Sequence, residues 1–165
     1  MAYVMHRVFC AAPGDLGEEV QAFYKVMSEL NAEEAMPRGI LFVSVALPPL
    51  ATDKRPYQAA ISENVRACRY YVQVLEDTWG PPQLNFEREY ALATRCTADP
   101  AQPMQEVAVF FKKPLLPHQV EAGLTAFKQQ LESENHQPHY DFSTLDEFKA
   151  KLRAQLSTWL QTVQL

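Results

Sequence analysis

Glycine is scarce in this chain, and its scarcity excludes two common kinds of nucleotide site. The 165 residues include only 5 Gly but 12 Pro, whereas an average chain of this length carries roughly 11 Gly and 8 Pro. Neither G-x-G-x-x-G nor G-x-x-x-x-G-K-[ST] occurs, so the chain has no dinucleotide fingerprint and no P-loop to cradle phosphates. Any nucleotide site must therefore be built differently.

Cysteine is also rare, and its spacing indicates neither a zinc site nor a disulfide framework. Cys10, Cys68 and Cys96 are odd in number, widely separated and without C-x-x-C spacing. We therefore expect reduced, buried thiols in a cytoplasmic protein. No metal site is predicted, because the four histidines show no metal-ligand spacing.

Positive charge is in deficit, and long apolar runs are missing. Fifteen Lys and Arg against 20 Asp and Glu give a net charge of −5, whereas nucleic-acid-binding domains usually carry a basic field. No stretch approaches the roughly 18 consecutive apolar residues of a membrane span. A strand-like run begins at Tyr3 and leaves no room for a signal peptide. We expect a cytoplasmic protein that binds neither nucleic acid nor membrane.

The chain does contain a regular alternation of strand and helix patterns. Short runs of β-branched and aromatic residues predict five strands, with amphipathic or helix-like stretches after each of them. This alternation predicts a three-layer α/β/α domain with a mostly parallel, flavodoxin-like sheet of order 2-1-3-4-5. The predicted strands cover residues 3–12, 40–47, 70–75, 106–111 and 139–142.

Capping signals predict where the first and last helices begin. Asp15, with Glu18 three residues later, predicts a capping box at the first helix. Ser143 and Asp146 predict the start of the last helix in the same way, and apolar residues then recur on one face as far as Val163.

The predicted sheet order indicates where a ligand would bind. Ligands of doubly wound sheets bind at the carboxyl ends of the strands where the strand order reverses, which here lies between strands 1 and 3. The two loops at that point, residues 11–15 and 76–82, contain Gly14 and Gly80 beside prolines. Such Gly-Pro turns also simply end strands, so they predict a cleft without identifying its ligand.

Glu89 is the candidate catalytic residue. Phe86, Glu89, Tyr90 and Ala93 fall at i, i+3, i+4 and i+7 of a predicted helix and therefore on one face. A carboxylate on or beside this apolar stripe would be partly desolvated and available for acid–base or charge-stabilising chemistry. The alternative is a glutamate at the stripe's edge that reaches water or pairs with an arginine.

Five segments together resemble the TIR-like superfamily, and most closely a bacterial branch of it. The superfamily shares a flavodoxin-like fold with nucleoside 2-deoxyribosyltransferase-like enzymes. The resemblance implies a single TIR-like domain over residues 1–165, of a kind that also occurs within longer signalling proteins. The segments are residues 8–19 with D-L-x-x-E after strand 1, residues 61–75 with a Cys-Arg junction, residues 77–80 with an aromatic-Gly ending, residues 86–93 with an E-[aromatic or aliphatic]-x-x-A helix, and the amphipathic residues 143–160.

The resemblance implies chemistry on NAD. In catalytic members the glutamate of that helix faces the switch-point cleft and promotes cleavage of the N-glycosidic bond of NAD, and it corresponds to Glu89. The implied partner is a nucleotide, with NAD as substrate and no resident cofactor, in bacterial signalling or defence. Trp79 or Phe86 would stack on a base, and the loop over residues 48–57 would close over the ligand. The predicted ligand-binding residues are Ala12, Pro13, Gly14, Asp15, Tyr57, Trp79, Gly80 and Phe86.

Two departures from the family pattern keep other functions open. Ala11 and Ala12 stand where related domains often carry serine or threonine, and alanine cannot donate a hydrogen bond to a ligand. Asn85 and Phe86 occupy the stretch before Glu89 where catalytic members often have tryptophan. One alternative is a non-catalytic TIR-like module that self-associates or binds other signalling domains. The other is a nucleoside deoxyribosyltransferase-like enzyme.

Overall fold

The computed structural model describes residues 2–13, 15–45, 57–80 and 85–163. Within these residues five strands form one sheet of order β2-β1-β3-β4-β5, in which every neighbouring pair is parallel. The predicted sheet order is therefore confirmed, with β5 at one edge. The strands are β1 (Val4–Ala11), β2 (Ile40–Val45), β3 (Tyr70–Leu75), β4 (Glu106–Lys112) and β5 (His139–Phe142).

Five α-helices of the described residues flank this sheet and complete the predicted three-layer α/β/α fold. A π-helical turn (Asn31–Ala35) and a 3-10 turn (Met36–Arg38) continue the first helix toward β2. No helix in the described ranges is both long enough and apolar enough to cross a membrane. The helices are α1 (Gly17–Leu30), α2 (Tyr57–Arg66), α3 (Phe86–Thr97), α4 (Ala122–Glu134) and α5 (Leu145–Thr162).

The two faces of the sheet bury separate hydrophobic cores because successive residues of a strand point to opposite sides. Helices α1 and α5 cover one face, where Tyr70 of β3 stacks on Trp159 of α5 with ring centroids 4.3 Å apart. Helices α2, α3 and α4 cover the other face, where Tyr71 of β3 stacks on Phe9 of β1 at 5.6 Å. The candidate glutamate belongs to this second layer.

The capping box predicted at α1 does not form. Asp15 is exposed and lies before the helix, and Leu16 occupies the N-cap position without any side-chain cap. The Leu16 amide donates to the Pro13 carbonyl at 2.9 Å, a turn that carries the Leu16 side chain into the core. Burial of a large apolar side chain outweighs a cap, which stabilises a helix by about 1 kcal/mol. At α5 the cap is Thr144 instead of Ser143, and its hydroxyl accepts from the Glu147 amide.

The three thiols are free, as the sequence predicted. Cys68 and Cys96 are buried and Cys10 is partly buried. Burial raises the pKa of Cys10 and of Cys68 to about 12, so both remain protonated and poorly nucleophilic at neutral pH. They therefore act in packing.

Candidate functional site

Glu89 lies on the inward face of α3 with 0% of its surface exposed. The helix begins at Asn85, whose side chain accepts a hydrogen bond from the Arg88 amide and so fixes the rotation of the first turn. Glu87 and Arg88 consequently point to solvent, as the helical spacing predicted. Glu89 does not reach water from the edge of the stripe, because it is enclosed by the layer of helices α2 and α3.

Two uncharged donors on α2 hold one oxygen of the Glu89 carboxylate. The Ser62 hydroxyl donates to Oε1 at 2.7 Å, and the side-chain amide of Gln58 donates to the same oxygen. Gln58 and Ser62 are four residues apart and therefore lie one above the other on a helix. In the part of the chain that the structure describes, Oε2 of Glu89 is buried and has no hydrogen-bond partner.

A second group of buried polar side chains joins β3 to the end of β1. The Tyr71 hydroxyl donates to Oε1 of Gln73 at 2.7 Å, and Nε2 of Gln73 donates to the Ala11 carbonyl at 3.2 Å. Burial raises the pKa of Tyr71 well above its usual value, and the nearby charge of Glu89 raises it further. The phenol therefore stays protonated and remains a donor.

The two loops at the switch point contact each other. Gly80 has a φ of +95°, and a Cβ at this position would lie 3.4 Å from the Cβ of Pro13. Ala12 is partly buried, Pro13 is buried and Asp15 is exposed. Gly14 lies outside the described residues. The structure thus brings the predicted ligand-binding residues of both loops to one end of β1 and β3.

The aromatic residues predicted to stack on a base are engaged in packing. Trp79 is only 8% exposed, and its ring contacts Phe127 and Tyr90 with centroids 5.0 and 6.0 Å away. Phe86 is buried in the same core. Their contact with a ligand stays a prediction. Tyr57 begins α2, but its side chain and the loop over residues 48–56 lie outside the described residues.

Three carboxylates that no sequence spacing revealed also meet at this end of the sheet. Asp15, Glu76 and Asp77 each place an oxygen within 4.8 Å of the others, because the loops after β1 and β3 run side by side. The pKa of Glu76 is raised above its usual value because the carboxyl group is partly buried, and the nearby ammonium of Lys112 offsets only part of this rise. Lys112 lies 3.6 Å from Glu76 and 2.7 Å from Glu19, so a positive charge already stands beside these acids.

Helical spacing placed Glu89 on or beside the apolar face of α3 but did not identify its hydrogen-bond partners. Ser62 and Gln58 are unremarkable in an amphipathic helix, and only the packing of α2 against α3 gives them a role. Gln73 did leave a signal, because it interrupts an otherwise apolar buried strand, and a polar side chain there requires internal partners.

Comparisons with known proteins show a fold and no family. No protein-family model matches the chain, and no curated protein matches it. The translation elongation factor SelB from Methanococcus maripaludis, solved with the GTP analogue GppNHp, is similar with a TM-score of 0.57 and 12% identity. That match covers 100% of this chain but only 36% of SelB. At this identity the likeness supports the α/β fold alone.

Two flavin proteins are similar at lower scores. The general stress protein 14 from Treponema denticola, in complex with FMN, has a TM-score of 0.46 and 11% identity, with 96% of this chain and 99% of that chain covered. FerB from Paracoccus denitrificans, a flavoenzyme NAD(P)H:(acceptor) oxidoreductase, has a TM-score of 0.41 and 11% identity, with 95% of each chain covered.

Proposed function

We propose that this protein is a cytoplasmic TIR-like domain that cleaves the N-glycosidic bond of NAD or a related nucleotide, in bacterial signalling or defence. The observation that carries the proposal is the environment of the Glu89 carboxylate. It is fully buried and held at Oε1 by Ser62 and Gln58, and its Oε2 has no partner within the described residues. Buried polar atoms nearly always have a partner, so a free carboxylate oxygen favours a site that awaits a ligand.

The chemistry of the bond suits a single carboxylate. Cleavage of the bond between ribose and nicotinamide develops positive, oxocarbenium-like charge on the ribose. A carboxylate beside the anomeric carbon stabilises that charge, and the low dielectric of a buried site strengthens the interaction. Nicotinamide leaves as a neutral molecule with the bonding electron pair, so no strong general acid is required. Water then adds to the ribose carbon and releases a proton. Glu89 has no exposed surface, so its neighbours must move apart to admit the substrate.

The ends of β1 and β3 supply the surface on which the nucleotide would lie. Pro13 and Gly80 meet there, and the Tyr71–Gln73–Ala11 hydrogen bonds link this end of β1 to β3. In the proposal the loop over residues 12–15, with Tyr57, Trp79, Gly80 and Phe86, contacts the nucleotide. NAD is the substrate, and no resident cofactor is required.

The test compares the wild type with Glu89→Gln and Glu87→Gln during incubation with NAD, with released nicotinamide measured by chromatography. Glutamine keeps the shape of glutamate, and its oxygen still accepts from Ser62, so the variant separates loss of charge from loss of fold. Glu87 is the matched control, because it lies on α3 and is exposed. We expect Glu87→Gln to release nicotinamide as fast as the wild type, and Glu89→Gln to release it at least about 100-fold more slowly.

Equal release by the wild type and Glu89→Gln, including at high protein concentration where such domains assemble, would contradict the proposal. A further incubation with a deoxynucleoside and a free base tests the related alternative of a deoxyribosyltransferase-like enzyme. Base exchange without cleavage of NAD would favour that alternative.

The complete burial of Glu89 favours one other candidate, a non-catalytic TIR-like module that works by self-association or by binding a signalling partner. In that case the carboxylate would serve to hold α2 against α3. Leu115 and Leu116, between β4 and α4, are 86% and 48% exposed and offer apolar contacts. This candidate predicts no nicotinamide release and a concentration-dependent increase in molar mass measured by light scattering.

A further inference from the structure

We infer that Ser62 and Gln58 are positioning residues that determine which oxygen of Glu89 reacts, an inference that rests on the proposed function. Both donate to Oε1, and neither donates to Oε2. Oε2 is thereby left as the oxygen that meets the ribose. The two residues act on the substrate only through Glu89.

The arrangement removes a freedom that a free carboxylate has. Rotation about the last bond of a glutamate side chain is broad and roughly two-fold, so the two oxygens ordinarily exchange places. Two donors from successive turns of α2 hold Oε1 and thereby fix the plane of the carboxylate. A reacting group held in one orientation reacts faster, and a misplacement of about 1 Å can slow a reaction about 100-fold.

The asymmetry between the oxygens distinguishes a positioning role from a purely structural one. A network that only joins α2 to α3 gains most when both oxygens are paired, because an unpaired buried acceptor is destabilising. Two buried side-chain polar atoms of the described residues have no partner, His6 Nε2 and Glu89 Oε2. Of these two atoms, only Glu89 Oε2 belongs to a carboxylate whose other oxygen is held by two donors. The unpaired oxygen therefore points to a ligand that brings a hydrogen-bond donor or positive charge to it when bound.

Steady-state kinetics of nicotinamide release from NAD test this role in Ser62→Ala, Ser62→Thr and Gln58→Met. Loss of one donor loosens the carboxylate without removing its charge. We expect Ser62→Ala to lower kcat about 10- to 100-fold and to leave KM within about threefold. Threonine retains the hydroxyl, so Ser62→Thr should restore kcat to within about threefold of the wild type. Gln58→Met should lower kcat in the same way as Ser62→Ala.

The matched control is Ser28→Ala, the same substitution at an exposed serine of α1, which should leave both constants unchanged. All variants are compared at a temperature at which circular dichroism shows them folded. If Ser62→Ala does not fold, Gln58→Met carries the test. A purely structural role predicts lower unfolding temperatures with an unchanged kcat of the folded protein.

The outcomes separate this inference from the proposed function. The positioning role alone is overturned if Glu89→Gln abolishes the wild-type activity while Ser62→Ala and Gln58→Met both retain it. A fall in kcat that Ser62→Thr does not rescue also overturns it, because the hydroxyl is then not what matters. No release of nicotinamide by the wild type overturns both.

Discussion

The Tyr71 hydroxyl donates a hydrogen bond to Oε1 of Gln73 at 2.7 Å, and both side chains are fully buried on the same face of β3. Residues two apart on a strand share a face, so this pair can form inside a single strand. The side-chain amide of Gln73 in turn donates to the Ala11 carbonyl of the neighbouring strand at 3.2 Å. The two side chains therefore connect β3 to the end of β1 inside the core.

Replacing Tyr71 with phenylalanine should destabilise the protein by about 1–3 kcal/mol, because it leaves Oε1 of Gln73 buried without its donor. Urea unfolding measures the change in the free energy of unfolding. Tyr24→Phe is the matched control, since Tyr24 is partly exposed on α1, and it should change stability by less than about 0.5 kcal/mol. Equal effects of the two substitutions would show that the Tyr71 hydroxyl contributes nothing.

The ion pair between Glu19 and Lys112 should behave as a coupled unit. The side chain of Glu19 is 3% exposed, and that of Lys112 is 27% exposed. The Glu19 carboxylate lies 2.7 Å from the Lys112 ammonium. Lys112→Met leaves the buried carboxylate of Glu19 without its partner, and we expect this to destabilise the protein by about 2–4 kcal/mol. The effect should not be larger, because the Lys112 side chain is only partly buried. Adding Glu19→Gln should recover part of that loss. Urea unfolding of the two single variants and the double variant gives the coupling energy, and additive losses would contradict the prediction.

Acid should destabilise the protein through His6. Burial lowers the pKa of His6 from 6.5, and the positive charge of Arg69 lowers it further. As pH falls, the unfolded chain binds this proton before the folded chain does, so unfolding is favoured. The contribution is fully present above about pH 6.5 and is lost as pH falls toward the lowered, folded-state pKa.

Replacement of His6 by phenylalanine removes this titration and also removes the unpartnered Nε2. We expect His6→Phe to lose less stability than the wild type between about pH 7.5 and about pH 5. Unfolding in urea across that range is the measurement. His118→Gln changes an exposed histidine and should follow the wild-type curve. A wild-type slope retained in His6→Phe would assign the acid sensitivity to other groups.

The contact between the two switch-point loops should make Gly80 sensitive to substitution. A φ of +95° strains any residue with a Cβ, so Gly80→Ala should destabilise by about 1–2 kcal/mol. Gly80→Val should cost more, because its methyl groups extend beyond a Cβ that already lies 3.4 Å from Pro13. Gly17→Ala, where the Cβ meets open space at the start of α1, should be neutral or slightly stabilising. Thermal unfolding distinguishes the three, and equal midpoints would remove the strain argument.

The sequence was sufficient for the fold because each strand and helix carries its own local pattern. Buried parallel strands appear as continuous apolar runs, and alternation with helices permits few topologies. The spacing of Phe86 and Ala93 in the same way predicted Glu89 on or beside the apolar face, and its complete burial is known only from the structure. These predictions depend on residues close together in the chain, where the geometry of one helix or strand decides the outcome.

The partners of Glu89 could not be predicted, because they depend on the rotation of α2 against α3. The failed capping box at Asp15 has a related cause, since the burial of Leu16 decided where the helix begins. The meeting of Asp15 with Glu76 and Asp77 likewise required the relative course of two loops. Competition between distant parts of the chain is not visible in local patterns.

The position of β1 inside the sheet governs how this chain can fold during its synthesis. β1 comes first in the chain, yet one of its neighbours, β3, ends at Leu75. At ribosomal speeds of about 5–20 residues per second, the intervening stretch takes about 3–13 s to emerge. Throughout that interval Val8 and Phe9 have no finished sheet to enter. The nascent chain therefore exposes this apolar segment before both of its neighbouring strands have been synthesised, and a chaperone that shields it should raise the yield of folded protein.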